Sequence, residues 1–260
     1  MNSSRCSELA VAAVVVLAFA VAPAAAVSVS GDTPPSVEVG SDQDVTYEVT
    51  DLYTDYDQWT LRGETELTDV SWTVTLYDQT GAQIDRQTYN GQTFEQPVDA
   101  ENDVSTVEVR LEGTVPGVES YSYDPAQTTT VASFAQVQEG GTSTTLETYD
   151  DVRPYTQDSQ SARTAISDAE DAVESAKSAG AGVSDAESDL EDAIEFYNSG
   201  NFEQAISNAE EAESTANSAA SSAERTDLIV MVGAAVVVLL LLAGGVYWYL
   251  QQRDTHDKLG

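Results

Sequence analysis

Residues 70–77, with the sequence VSWTVTLY, decide the fold of the N-terminal half of the chain. Large apolar side chains alternate here with serine and threonine, and the stretches Val45 to Val49 and Val107 to Leu111 show the same alternation. Period-2 alternation is typical of strands that bury one face and expose the other to water. The pattern therefore predicts antiparallel sheet in this half of the chain.

Turn signals separate these strands at regular intervals. The main ones are Gly40-Ser41-Asp42, Thr80-Gly81, Asn90-Gly91 and Pro116-Gly117, and Asn-Gly is the strongest short hairpin signal. Further strands are predicted near residues 83–88, 93–98 and 128–137. Roughly seven or eight short strands between turns, as counted over residues 27–139, are the spacing of an antiparallel β-sandwich.

The stretch around Trp72 resembles the central strand of an immunoglobulin-like or fibronectin-like module. The pair of cysteines typical of antibody domains is missing, since Cys6 is the one cysteine of the chain. Such modules are held mostly by the apolar layer between their sheets. The resemblance implies an immunoglobulin-like β-sandwich over residues 27–139.

Residues 140–157 are polar and rich in glycine and threonine, which indicates a linker or a last edge strand. Beyond them the apolar residues recur at three and four positions, which predicts a bundle of three helices over residues 158–226. The second helix has the sequence of a capping box, with Ser184 as the N-cap, Glu187 three residues later and Val183 as a hydrophobic staple.

The second and third helices carry a motif of small and aromatic residues at fixed spacing: Ala193, Tyr197, Gly200, Phe202, Ala205, Ile206, Ala209 and Ala212. This motif resembles the helical hairpin of a tetratricopeptide repeat. It occurs once, whereas a solenoid needs about three repeats to bury a continuous face. The resemblance therefore implies a hairpin within a small bundle and no peptide-binding superhelix.

Residues 228–250 read LIVMVGAAVVVLLLLAGGVYWYL, without a charged side chain. As a helix this run is roughly 34 Å long, enough for a hydrocarbon core of about 30 Å. Tyr247, Trp248 and Tyr249 stand at one end, as aromatic residues do at a membrane interface. The sequence thus predicts a transmembrane helix with the lipid bilayer as a partner; the alternative is a buried core helix of a soluble protein.

Residues 1–26 have the parts of a secretory signal peptide: Arg5, an apolar run and a small-residue end at Ala24 to Ala26. An uncleaved first anchor is the alternative. With a signal peptide, residues 27–227 are expected outside the cell and the tail, residues 251–260, in the cytoplasm. This gives a single-pass protein of the cell membrane with an extracellular N-terminal part.

The charge of the chain is extreme, with 45 acidic and 10 basic residues and a net charge of -35. Such a surface repels nucleic acid, so no nucleic-acid partner is expected. Molar salt screens the self-repulsion. The composition and the domain order resemble surface proteins of halophilic archaea that carry such a helical hairpin before a membrane anchor. The fold class predicted from the sequence is an α+β multidomain membrane protein, with an immunoglobulin-like sandwich, a three-helix bundle and one transmembrane helix.

No catalytic motif is recognisable in the sequence. The one histidine, His256, lies in the tail, so Ser-His, Cys-His and His-ligated zinc sites are excluded from the predicted extracellular part. A pair of carboxylates could still act as a hydrolase. We expect no enzymatic activity and no cofactor. Asp51, Asp55 and Asp57 are weak candidates for calcium ligands, with a solvated acidic loop as the alternative.

Tyr53, Tyr56 and Trp59 lie in an acidic, loop-like stretch and are the candidates for a partner-binding surface. The function predicted from the sequence is that of a non-enzymatic, membrane-anchored interaction or structural protein of the cell surface of a halophile, with a protein partner at the cell envelope. The alternative is an accessory subunit of a membrane complex, such as a transporter or secretion machinery.

Overall fold

A computed structural model describes residues 26–253, and of the side chains after Ala223 it describes only five, Val236, Val237, Val238, Leu241 and Leu242. The signal peptide predicted for residues 1–26 and the tail residues 254–260 therefore lie almost entirely outside the described residues. The elements are β1 (Ser28–Gly31), β2 (Ser36–Glu38), β3 (Asp42–Thr50), β4 (Gln58–Glu64), β5 (Thr68–Tyr77), β6 (Gln83–Asn90), β7 (Thr93–Asp99), a 3₁₀ helix (Ala100–Asn102), β8 (Thr106–Thr114), β9 (Ala132–Val137), β10 (Ser143–Tyr149), β11 (Arg153–Tyr155), α1 (Gln157–Ser178), α2 (Ser184–Asn198) and α3 (Phe202–Arg253).

Two antiparallel sheets pack face to face in the N-terminal part. The first has the strand order β1-β3-β8-β5-β6 and the second the order β10-β9-β4-β7. Trp72 on β5 joins them, because its ring lies 4.9 Å from that of Phe94 on β7 and 6.3 Å from that of Phe134 on β9. The apolar core of the sandwich lies between these inner faces.

The alternation seen in the sequence is realised in the strands. Val45, Tyr47 and Val49 of β3 are buried while their neighbours are exposed, and β8 buries Val107, Val109 and Leu111 in the same way. The predicted strands at 83–88, 93–98 and 128–137 correspond to β6, β7 and β9. Period-2 patterning thus predicted which residues form the inner faces.

The immunoglobulin-like part of the predicted fold class is not supported. In immunoglobulin domains the strand with the buried tryptophan pairs in one sheet with the last strands of the domain. Here Trp72 stands on β5, between β8 and β6, while β9 and β10 belong to the other sheet. In that sheet β9 pairs with β10 and with β4, and β4 carries the buried Trp59. Two strands with similar patterns and one tryptophan each cannot be told apart by periodicity.

The Asn90-Gly91 turn also differs from the predicted hairpin. It connects β6 in the first sheet to β7 in the second, so the two strands do not pair. The backbone N–H of Gly91 donates to the carbonyl of Val70 at 3.0 Å, and the indole N–H of Trp72 donates to the carbonyl of Gly91 at 3.0 Å. Residues of β5 therefore satisfy both the N–H and the carbonyl of Gly91, so this turn is stable without hydrogen bonds between β6 and β7.

Residues 140–157, predicted as a linker in the domain division, contain two strands. β10 pairs antiparallel with β9 at the edge of the second sheet, and β11 pairs parallel with β2. An edge strand needs a partner on one side only, so its outer side chains stay polar. This is why the stretch has the composition of a linker although it extends the sheet.

The three helices pack into the predicted bundle, and their contacts are made largely by alanine. Ala162, Ala169, Ala193, Ala205 and Ala209 are fully buried. The N-terminus of α2 differs from its predicted cap, because Val183 is the N-cap residue and makes no side-chain hydrogen bond there. Glu187 instead forms an ion pair with Lys177 at 2.6 Å. A reciprocal capping box occurs on α1, between Thr156 and Ser159.

The prediction of a transmembrane helix at 228–250 is contradicted, and the fold class that included it is corrected. Within the part of the chain that the structure describes, no helix is long and apolar enough to cross a membrane. Residues 228–250 do not form a separate element; they extend α3, which begins in the bundle at Phe202. The side chains of Tyr247, Trp248 and Tyr249, predicted at a membrane interface, lie outside the described ones. The described fold is a mixed one of antiparallel sheets and helices.

The backbone of Gly63 on β4 lies very close to an aromatic ring of a neighbouring strand in the second sheet. It lies in register between Phe94 on β7 and Phe134 on β9, and a Cβ atom at this position would meet the ring of Phe94. We expect Gly63→Ala to destabilise the fold by about 1–3 kcal/mol, because the ring must shift within a packed core. Urea unfolding followed by circular dichroism measures this. Gly117→Ala is the control, since its Cβ would meet no atom within 4 Å; equal stability of the two variants would contradict the expectation.

Candidate functional site

One end of the sandwich is formed by three loops, and we call it the distal end: residues 51–57, 78–82 and 99–105. Strand register places these loops together, because β3 runs from Asp42, opposite Thr114, to Val49, opposite Val107. The loop after β3 therefore lies beside the start of β8 and away from its end. The helical bundle lies at the opposite end of the sandwich, where β8 leaves the sheet.

The structure separates the three residues predicted as a partner-binding surface. Trp59 is buried in the core, and its indole N–H donates to the carbonyl of Leu52 at 2.8 Å. Tyr53 is half-buried against the core. Only Tyr56 is exposed, at 38 %. The loop folds back on Trp59 and Tyr53, which is a long-range contact that loop-like composition does not reveal.

An open cavity of about 490 Å³ lies at the distal end beside Tyr53. Its rim includes Asp51, Gln79 and Asp103. The phenolic oxygen of Tyr53 is buried and has no hydrogen-bond partner among the described residues. Burial raises the pKa of Tyr53 to about 12, with a contribution from Asp99, so the hydroxyl stays protonated at neutral pH. A second cavity, which shares Gln79 and Ser105 with the first, has Glu48, Asp78 and Glu108 on its rim. We call the two together the distal groove.

The loops around the distal groove are braced by hydrogen bonds between them. The backbone N–H of Ala100 donates to the carbonyl of Asp57 at 2.9 Å, and the side-chain amide of Gln58 donates to Asp99 at 2.7 Å. Asp99 also caps the 3₁₀ helix through the N–H of Glu101. A groove held in this way is formed before any partner binds, which lowers the entropy cost of binding.

The three calcium candidates do not assemble into a site. Asp51, Asp55 and Asp57 are all exposed on the loop between β3 and β4. Among the residues that the structure describes, no three acidic, histidine or cysteine side chains are grouped so as to hold a metal ion. Calcium needs six to eight oxygen ligands around one point. The carboxylates of this loop are arranged as a solvated acidic surface.

The opposite end of the sandwich contacts the bundle through a set of side chains that no sequence motif connects, and we call this set the junction. The backbone N–H of Tyr123 donates to Asn198 of α2 at 2.7 Å, and its hydroxyl donates to Glu170 of α1 at 2.8 Å. The rings of Tyr121 and Phe202 lie 4.7 Å apart. Tyr197 and Phe202 of the tetratricopeptide-like motif thus contact the loop between β8 and β9 as well as the neighbouring helix.

Two arginines complete the junction. The guanidinium of Arg163 on α1 lies over the ring of Tyr123, 4.5 Å from its centre. Arg153 on β11 donates from Nη2 to the side-chain oxygen of Gln160 at 2.7 Å. Burial lowers the pKa of Arg153, and the neighbouring charge of Arg163 lowers it further. Both arginines are far apart from Tyr121 and Tyr123 in sequence, and no local motif connects them.

No protein-family model matches the chain, and no curated protein matches it. Among solved structures, a DUF4466 family protein from Parabacteroides merdae is similar over 47% of this chain and 44% of its own, with 15% identity and a TM-score of 0.26. AvmM, which catalyses macrocyclization in alchivemycin A biosynthesis, is similar over 50% of this chain and 82% of its own, with 7% identity and a TM-score of 0.25. The chain spans less than half the length of the first of these proteins, and likenesses of this size carry no conclusion about function.

Proposed function

We propose that the protein is a non-enzymatic interaction or structural protein of the cell surface of a halophile, in which the helical bundle supports the sandwich and the distal groove faces a protein partner. One observation carries the proposal: the junction and the distal groove lie at opposite ends of the sandwich. The groove is therefore unobstructed by the bundle, and the junction contacts hold the sandwich on its support.

The chemistry of the groove indicates the kind of partner. Its rim carries carboxylates, among them Asp51, Asp78, Asp103 and Glu108, which favour a partner surface with lysine or arginine side chains. At about 1 M salt the Debye length is roughly 3 Å, so only close contacts contribute. Tyr56 is exposed on the same loop that places Asp51 and Tyr53 at the groove, and it is suited to form such a contact because tyrosine is enriched at the centres of interfaces.

Replacing Tyr56 by alanine is expected to weaken partner binding about tenfold, the effect of removing about 1.4 kcal/mol. The measurement is affinity purification of the tagged full-length protein from its native cell envelope in molar salt, with quantification of the chains that co-purify. Ile84→Ala is the matched control, since Ile84 is also an exposed apolar residue, at 43 %, but stands on β6. A partner recovered equally with both variants would overturn the assignment of the distal end.

The second candidate function is that of an accessory subunit of a larger complex, recruited through the C-terminal part of α3. Its support is a set of exposed apolar side chains there: Val236, Val237, Val238, Leu241 and Leu242. Exposed apolar surface of this kind often marks an interaction site. The double variant Val237→Ser/Leu241→Ser separates the two candidates. Loss of the partner in this variant, with binding retained in Tyr56→Ala, would favour the subunit function.

A further inference from the structure

The junction holds two positive charges that form no ion pair with any carboxylate that the structure describes. Although the chain has 45 acidic residues, neither Arg153 nor Arg163 lies within ion-pair distance of a carboxylate among the described residues. The carboxylate of Glu170, which belongs to the junction, accepts a hydrogen bond from the hydroxyl of Tyr123. Arginine stays protonated in proteins, so both charges are present in the folded state.

Three buried polar atoms of the junction also lack a hydrogen-bond partner among the described residues: Nη1 of Arg153, Nη1 of Arg163 and the hydroxyl oxygen of Tyr197. Tyr197 is fully buried, with an exposed fraction of 0 %. Leaving one buried donor unsatisfied costs about 1–3 kcal/mol, and more when the group is charged. Three such groups within the junction require an explanation, such as a bound water molecule or ion.

The three atoms belong to one cluster. The ring of Tyr197 lies 5.7 Å from the ring of Tyr123. The guanidinium of Arg163 lies over the face of the Tyr123 ring. Arg153 lies beside the same part of α1, because its Nη2 donates to the side-chain oxygen of Gln160 at 2.7 Å, and Gln160 stands three residues before Arg163 in that helix. All three groups can donate a hydrogen bond, and two of them are positive.

We propose that the junction binds one small monovalent anion, represented by chloride, between the two Nη1 atoms and the hydroxyl of Tyr197. An anion accepts from all three donors at once and compensates the like charges of the arginines, which a water molecule does not. The burial of the three atoms excludes an acidic side chain of another protein or a lipid headgroup, because these need an open cleft. This inference does not depend on the proposed function.

Binding at this position connects the two parts of the molecule. Arg153 belongs to β11, which is paired with β2, whereas Arg163 and Tyr197 belong to α1 and α2. The anion would therefore contact the sheet part and the bundle together. In molar chloride even a weak site is filled, because the chloride concentration exceeds its Kd. A ligand that binds only the folded state stabilises that state, and the stabilisation grows with the logarithm of the ligand concentration.

The first test is diffraction from crystals of the full-length protein grown in sodium bromide, with data collected at the bromine absorption edge. We expect an anomalous peak within hydrogen-bond distance of both Nη1 atoms and of the Tyr197 hydroxyl. A water molecule at this position, or no density there, would overturn the proposal, and this test requires no variant to fold.

The second test compares thermal unfolding of the full-length protein in sodium chloride and in sodium gluconate at equal ionic strength, so that general screening cancels. We expect a higher Tm in chloride for the wild type and for the control Arg62→Gln, since Arg62 pairs on the surface with Glu95. Tyr197→Phe and Arg163→Gln are expected to weaken the apparent chloride affinity at least tenfold. Equal Tm values of the wild type in the two salts would contradict the proposal.

Discussion

Trp72→Ala is expected to lower the free energy of unfolding by about 3–5 kcal/mol, the cost of removing a large aromatic side chain from a core. Trp72 is fully buried and contacts both sheets through Phe94 and Phe134. Its indole N–H also donates a hydrogen bond to the carbonyl of Gly91, in the turn that connects β6 to β7. The substitution therefore opens a cavity between the sheets and leaves a backbone carbonyl without its donor.

Urea unfolding of the full-length protein in molar salt, followed by circular dichroism, measures this loss. Ile84→Ala is again a suitable control, because it removes apolar atoms from an exposed position in the strand next to β5. We expect that control to stay within about 0.5 kcal/mol of the wild type. If Trp72→Ala cost less than 1 kcal/mol more than the control, the packing of the two sheets on this residue would be refuted.

Lowering the salt from molar to tens of millimolar is expected to unfold the helical bundle. The net charge is -35, and the Debye length grows from about 3 Å at 1 M to about 30 Å at 0.01 M. Repulsion between the acidic side chains then acts across the whole surface. The bundle is the weaker part, because its core is largely alanine, whereas the sandwich buries two tryptophans and several large apolar residues.

Circular dichroism at a helical wavelength during dialysis from molar sodium chloride gives the measurement. Dialysis into sorbitol of equal osmolality is the control for a general effect of the solute on hydration. We expect the helical signal to fall in sorbitol as it does in dilute buffer, and to return when salt is restored. A spectrum that stays unchanged in dilute buffer would remove the basis for assigning the protein to a halophile.

The distal groove was only partly accessible from the sequence. Composition indicated that the stretch from Asp51 to Trp59 is an acidic loop with aromatic residues; the loop covers residues 51–57, whereas Trp59 stands on β4. The sequence did not distinguish Tyr56, which is exposed, from Trp59, which is buried. The difference comes from the hydrogen bond of Trp59 to the carbonyl of Leu52 and from packing against the core, neither of which has a local signature.

The sequence does not predict the junction as a unit. Tyr197 and Phe202 belong to the helical hairpin motif, whereas Tyr121 and Tyr123 stand between β8 and β9 and belong to no motif. Their meeting depends on the path of the chain between β8 and β9, which is set by contacts rather than by periodicity. The same limit applies to Arg153 and Arg163, which stand on different elements.

The sequence by itself determined the type and approximate bounds of the elements, because alternation in strands and spacing of three and four in helices depend on neighbours within one element. Only the tertiary structure decided which strands share a sheet and that Asn90-Gly91 crosses between the sheets. It also decided that the polar residues 143–149 form an edge strand. These features depend on hydrogen bonds and packing between residues distant in sequence. A local sequence pattern does not identify the distant strand with which an element pairs.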